Sequence, residues 1–203
     1  DNTKRKDNDS KERYNQQVVN LGAGMDTRPY WLESLKSSKG NTLYWDIDTA
    51  SIMNHKQKIL EELKKEKGDQ VAQPLCQIKA IAMDFSKESI TEILPLKHDF
   101  QRSVPTCWIL EGLIMYLQHA NVEELLDEIS DLSCSGSFLI LNFSNNDPQG
   151  PTIDEIDKQL VETKGEWIKQ QKLMFGEDGF NFDRYPDNKP ANPQLGFAMY
   201  SKK

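Results

Sequence analysis

Cysteine and histidine are scarce, three of each in 203 residues. Cys76, Cys107 and Cys134 are widely spaced and odd in number, which fits neither a zinc-ligand pattern nor a disulfide framework. They are expected to be reduced, mostly buried thiols of a cytoplasmic protein. His55, His98 and His119 fall in no triad or metal motif, so neither a metal site nor a histidine base is expected. No apolar run approaches the roughly 20 residues of a membrane span. A basic excess is also missing: the net charge of −7 argues against a nucleic-acid backbone as partner. Residues 1–15 are almost all polar or charged and do not read as a secretory signal. They read as a disordered or weakly helical lead-in, or as what remains of a longer N-terminal region. Residues 16–203 read as one domain.

Apolar, β-branched runs then alternate with helical patterns. Strands are expected at Val18–Leu21, Thr42–Ile47, Leu75–Met83, Pro105–Leu110 and Gly136–Phe143. Helices are expected at Arg28–Ser37, Ala50–Glu66, Ser86–Leu94, Val122–Leu132 and Ile153–Leu173. Ser38–Asn41 reads as a turn. On the second helix Ile52, Ile59, Leu60 and Leu63 form the apolar face, with Lys and Glu elsewhere. Glu88 is placed for a capping box, and Asn121 as a helix cap. Two short strands, Phe180–Tyr185 and Gly196–Ser201, come last with no helix between them. The alternation predicts an α/β fold with an open, mostly parallel sheet, and the last pair an antiparallel hairpin. Together they resemble the seven-stranded sheet of Rossmann-like, class I methyltransferases.

The notable polar residues fall at strand ends, where such sheets bind ligands. Gly22-Ala23-Gly24 follows the first strand, and its missing Cβ atoms let backbone approach a ligand closely. A dinucleotide fingerprint would place a third glycine where Thr27 stands. That shifts the expectation from NAD to a ligand without pyrophosphate, with S-adenosylmethionine the leading candidate. Asp46 and Asp48 flank Ile47 and are expected to point apart, leaving one free for vicinal ribose hydroxyls. Asp48 lies 24 residues beyond Gly24, near the roughly 20 of a ribose-binding acid, and is favoured over Asp46. Asp84 offers an acceptor for an adenine amino group and Phe85 a ring to pack on it, with helix capping an equal reading. Glu111, among apolar neighbours, needs a positive partner to stay ionised, and a cofactor ammonium is one. Tyr116 orients a substrate or merely packs, and Arg28 pairs with an acceptor carboxylate or with a helix-start acid.

Asn20-Leu21-Gly22-Ala23-Gly24-Met25-Asp26-Thr27, Trp45-Asp46-Ile47-Asp48, Asp84-Phe85 and Glu111-Gly112-Leu113-Ile114-Met115-Tyr116-Leu117 resemble, in order and spacing, motifs of the leucine carboxyl methyltransferase family. The last is most similar to that family's branch of uncharacterised S-adenosylmethionine-dependent methyltransferases. The resemblance spans roughly Gln16 to Phe143. It implies cofactor contacts at Gly22, Asp48, Asp84, Phe85 and Glu111. It also implies methyl transfer to the oxygen of a carboxylate or hydroxyl, on a small molecule or a peptide C-terminus. Family members carry a longer region with basic residues before the glycine loop, where this chain has 15 polar residues, and the segment between the fifth strand and the final hairpin looks short for the branch that methylates a protein phosphatase. The alternatives are a cofactor-binding module without catalysis, an NAD-dependent oxidoreductase and a nucleic-acid methyltransferase. The last lacks its Asn/Asp-Pro-Pro-Tyr motif. The oligomeric state is not legible.

Overall fold

A computed structural model describes residues 15–36, 42–175 and 192–203. The expected lead-in (Asn15 apart), the turn at 38–41 and the strand at 180–185 lie outside the described residues. Seven strands form one sheet: β1 (Gln16–Leu21), β2 (Thr42–Asp48), β3 (Gln77–Ala82), β4 (Thr106–Leu110), β5 (Phe138–Ser144), β6 (Trp167–Phe175) and β7 (Asn192–Lys202). Their order is β3-β2-β1-β4-β5-β7-β6. β1 to β5 run parallel, while β7 pairs antiparallel with both β5 and β6. The expected α/β architecture is therefore present, antiparallel pair included.

The first five strands form where apolar, β-branched and aromatic residues cluster. Alternate side chains bury one face of the sheet: Val19, Leu21, Trp45, Trp108, Leu110 and Leu141 are among its fully enclosed residues. At its centre Phe100 sits between Trp45 and Trp108, 5.6 Å from each ring centroid, within the range of favourable tilted pairs. Helices α3 (Ile90–Lys97) and α4 (His119–Leu132) cover this face. So does α5 (Ile153–Asp157), continued by a π-helical turn at Lys158–Thr163. The opposite face carries a thinner layer around Val18, Leu35, Tyr44 and Ile109. It also meets α2 (Ala50–Lys67) and the short α1 (Arg28–Trp31), which gives way to a 3-10 turn at Glu33–Leu35. Cys76, Cys107 and Cys134 are free thiols of intermediate burial; burial pushes Cys76 and Cys107 up to about 11. Among the described residues, no helix is long and apolar enough to cross a membrane.

Three expectations are corrected. The helix expected over Ile153–Leu173 ends near Thr163, and Trp167–Phe175 is β6, a sheet-edge strand. Ile153, Ile156 and Leu160 do bury a helical stripe, but Gly165 at φ +65° turns the chain out of it. The helix expected from Ser86 begins at Ile90, where Ser89 accepts the Thr91 N–H; Glu88 instead accepts the Asp84 N–H. On α2, Ile52 is exposed while Met53 and Lys56 are the buried residues. In addition, α4 starts at His119, before Asn121, with no side-chain cap.

Candidate functional site

The sheet changes winding direction between β1 and β4, adjacent strands from which the chain leaves toward opposite edges. Crevices beyond the carboxyl ends of strands form at such points. Leu21 and Leu110 are register partners, so Gly22 and Glu111 leave the sheet side by side. Gly22 has φ +73° and Gly24 φ +50°, backbone that glycine adopts without a Cβ penalty. A Cβ on Gly22 would also stand 3.0 Å from the Cβ of Leu113.

The turn is tied down from β2. The Gly22 and Ala23 N–H groups both donate to the Ile47 carbonyl, at 2.9 and 3.0 Å. The Gly24 N–H donates to Asp48 Oδ2 at 2.8 Å, and the Thr49 N–H to Asp48 Oδ1 at 2.7 Å. Asp48 thus shapes the glycine turn with one bond per oxygen. A carboxylate has about four acceptor positions, so it keeps capacity for a ligand hydroxyl.

A cleft of about 560 Å³ opens over the turn, lined by residues 22–28, Asn20, Trp31 and Glu111. Arg28 bridges it. Its Nε donates to Asp26 Oδ2 at 2.7 Å, and an Nη to Glu111 Oε2 at 2.7 Å. Partial burial works against the Arg28 charge, but Asp26 and Glu111 outweigh it and raise its pKa. Glu111 does not lie in the apolar setting expected of it: its side chain is 47% exposed, and Arg28 is a positive partner supplied by the protein itself. The Gly112 N–H beside it donates to Asn142 Oδ1 at 2.6 Å.

Of the expected site residues, Gly22, Ala23, Gly24, Arg28 and Glu111 converge on this cleft, with Asp48 directly behind the turn. Asp46 does not reach it. Residues two apart on a strand share a face, so Asp46 and Asp48 do not point apart as expected; depth separates them instead. Asp46 is 3% exposed and accepts from Lys56 Nζ at 2.6 Å, its partner in a buried ion pair. Asp84 holds its own turn, accepting from the Ser86 N–H and hydroxyl and from Lys87 Nζ. Lys87 and Ser86 hold its carboxyl down at about 2. Phe85 is half-buried against the core and lines a separate groove of about 350 Å³ between α3 and α4. Tyr116, 80% exposed, closes a 3-10 turn (Ile114–Tyr116) beyond Glu111. His119 lies 3.5 Å from Glu123 on α4. Among the described residues no cluster of His, Cys, Asp and Glu could hold a metal ion. The sequence reading missed Asn20, Asp26 and Trp31. Asp26 carried a signal in being an acid two residues before Arg28, and Trp31, exposed beside the cleft, in being an aromatic one helical turn after Thr27.

Comparison with known proteins bears on the family and the fold. A family model described as leucine carboxyl methyltransferase matches residues 8–130. A protein of Mycolicibacterium vanbaalenii named "Putative S-adenosyl-L-methionine-dependent methyltransferase" is 37% identical over 124 residues, 61% of this chain and 37% of that protein. The chain thus spans well under half the length of that relative. Among solved structures, a "putative methyltransferase" of Thermobifida fusca aligns with TM-score 0.59 and 19% identity, covering 92% of this chain and 73% of that one. The N-methyltransferase NodS of Bradyrhizobium japonicum, in complex with S-adenosyl-L-homocysteine, aligns with TM-score 0.55 and 9% identity, covering 92% and 78%. At these identities the structural matches establish a shared fold.

Proposed function

The chain belongs to the leucine carboxyl methyltransferase family, and from that premise we propose that it is an S-adenosylmethionine-dependent O-methyltransferase. The acceptor is a carboxylate or hydroxyl on a small molecule or a peptide C-terminus, met in the cytoplasm. One observation carries the reading: a guanidinium and a carboxylate face each other beside a glycine-flanked turn where the sheet changes winding direction. The amino-acid end of S-adenosylmethionine carries an ammonium, to which the cleft presents Glu111, and a carboxylate acceptor carries the charge that Arg28 complements. Gly22, Ala23 and Gly24 would let that end lie against the backbone. Glu111 would take the ammonium, Asp48 the ribose hydroxyls, and Asp84 with Phe85 the adenine.

S-adenosylmethionine supplies an electrophilic methyl group on a sulfonium when bound. The protein's task is then to align an acceptor oxygen and exclude water. Binding of an ammonium by Glu111 would release one Arg28 nitrogen, while Asp26 keeps hold of Nε and of the Arg28 N–H. The released nitrogen is placed to bind an acceptor carboxylate. Tyr116, on the same loop as Glu111, would meet the acceptor at the rim. A carboxylate acceptor is already anionic and needs no general base, which suits a cleft lining without histidine among the described residues.

The test is transfer of a labelled methyl group to pooled small carboxylic acids and peptides. Methyl esters release volatile labelled methanol in mild alkali, whereas ethers do not. Base-volatile label is the expected result; label that enters products only as N-methyl groups would overturn the O-methyl assignment. Asp48→Ala should weaken cofactor binding by about tenfold or more, the worth of one charge-assisted hydrogen bond, and lower the melting temperature as the Gly24 and Thr49 N–H groups lose their acceptor. Unchanged affinity would remove Asp48 from the site.

A further inference from the structure

Of the two residues α2 buries, Met53 and Lys56, the second is charged and lies outside the cleft. Lys56 is 5% exposed. A buried ammonium keeps its proton only with a partner, and Lys56 Nζ donates to Asp46 Oδ2 at 2.6 Å. Asp46 and Asn20 are register partners on adjacent strands. The Asn20 amide donates to Asp46 Oδ1 at 3.4 Å and to Asp26 Oδ2 at 2.8 Å. Asp26 in turn accepts from the Arg28 N–H at 2.8 Å, from Arg28 Nε at 2.7 Å and from the Tyr44 hydroxyl at 3.3 Å. Arg28 then reaches Glu111. One connected set of bonds runs from α2 through two strands to the wall of the cleft.

The charges along it balance. Lys56 and Arg28 stand at the ends, Asp46 and Asp26 between them, and the neutral Asn20 amide joins the two acids. Glu111 is left as the one surplus negative charge of the set, and it faces the cleft. A buried ion pair is seldom retained for stability, since an apolar pair of similar volume serves as well. The Asn20 amide has two N–H donors, and with Lys56 on Asp46 it sits closer to Asp26, at 2.8 Å, than to Asp46, at 3.4 Å. Without the ammonium, Asp46 must draw that amide to itself or take up a proton, and Asp26 loses a donor that fixes its rotamer.

We propose that Lys56 is a positioning residue for the cleft: through Asp46, Asn20 and Asp26 it fixes the direction in which Arg28 faces Glu111. The consequence for ligand binding rests on the S-adenosylmethionine reading above; the orientation of Arg28 does not.

The experiment uses the 203-residue chain and the variants Lys56→Met, Lys56→Arg and Lys56→Met with Asp46→Asn. Hydrogen exchange at Arg28 Nε, read by nitrogen-15 NMR and assigned with Arg28→Lys, reports the Asp26 bond without any ligand. Calorimetry with S-adenosylmethionine and S-adenosylhomocysteine reports binding. Lys56→Met should speed Nε exchange and weaken both ligands by about tenfold, within the coupling carried by packed networks, while amide protection in β1 and β4 persists. Lys56→Arg should stay near the parent. The double variant, which again has no uncompensated buried charge, should recover most of the loss, as a merely destabilised helix would not. If Lys56→Met fails to fold, Lys56→Arg and the double variant carry the test. Parent-like Nε exchange in folded Lys56→Met, or no recovery in the double variant, would overturn the proposal. Nε exchange in the expected order with no ligand bound by the parent would support the positioning role and sink the cofactor reading instead.

Discussion

Glu111→Ala is expected to lower the affinity for S-adenosylmethionine by about a hundredfold and to leave the fold intact. The magnitude follows from losing a charge-assisted hydrogen bond to an ammonium, about 1.5–3 kcal/mol, together with the surplus negative charge that draws a cation into the cleft. The fold is spared because the Glu111 side chain is 47% exposed and its partner Arg28 keeps Asp26. Glu111→Gln separates the two contributions: it retains an acceptor of the same shape and removes only the charge, so an intermediate loss is expected. Calorimetry alongside a thermal melt checks both variants. Near-parent affinity in Glu111→Ala would mean that the Arg28–Glu111 bridge only staples the loops together.

Gly22→Ala destabilises the protein by about 2–5 kcal/mol, summing roughly 1–2 for a side chain in left-handed backbone and 1–3 for overpacking. Both costs apply at this one position. Its φ is +73°, and the added carbon would meet Leu113 Cβ at 3.0 Å and Cδ1 at 3.2 Å. Leu113 is itself buried, so it cannot swing away into solvent. Urea unfolding measures the change, and a double-mutant cycle with Leu113→Ala isolates the share of the clash made by Leu113 Cγ and Cδ1, since alanine keeps the Cβ that the new carbon meets first: the two substitutions together should cost somewhat less than their separate costs combined. Gly24→Ala should cost less. Its φ is also positive, but the nearest atom to an added Cβ is the Gly22 carbonyl oxygen at 4.0 Å.

The parallel part of the sheet was legible because its strands are mainly apolar runs, the first four of which lead into glycine or acid at Gly22, Asp48, Asp84 and Glu111. The edge strand was not. Trp167-Ile168-Lys169-Gln170-Gln171-Lys172-Leu173 mixes apolar and charged residues as a surface helix does, and only pairing with β7 makes it a strand. Lysines there suit an exposed edge, where charge discourages further pairing. Gly165 was the local stop signal that separates the two readings.

The site divides in the same way. Gly22, Gly24, Arg28 and Glu111 could be placed because each follows a strand end. Asp46 could not, because its role depends on Lys56. A lysine on a helix rich in Lys and Glu is by default solvated, and nothing local marks the one at position 56 as turned inward. Strand parity did contain part of the answer: with residues 46 and 48 on one side of β2, burial alone decides which of them meets a ligand. Asp84 illustrates the opposite limit. It caps no helix, since α3 begins at Ile90; its bonds to Ser86 and Lys87 close a local turn that a strand-end acid does not announce.

Calorimetric titration of the 203-residue chain with S-adenosylmethionine, paired with a thermal melt, tests the central claim most directly. Saturable one-to-one binding, competition by S-adenosylhomocysteine and a raised melting temperature are expected. A cooperatively folded chain that gives no binding heat and no shift in melting with either compound would contradict it.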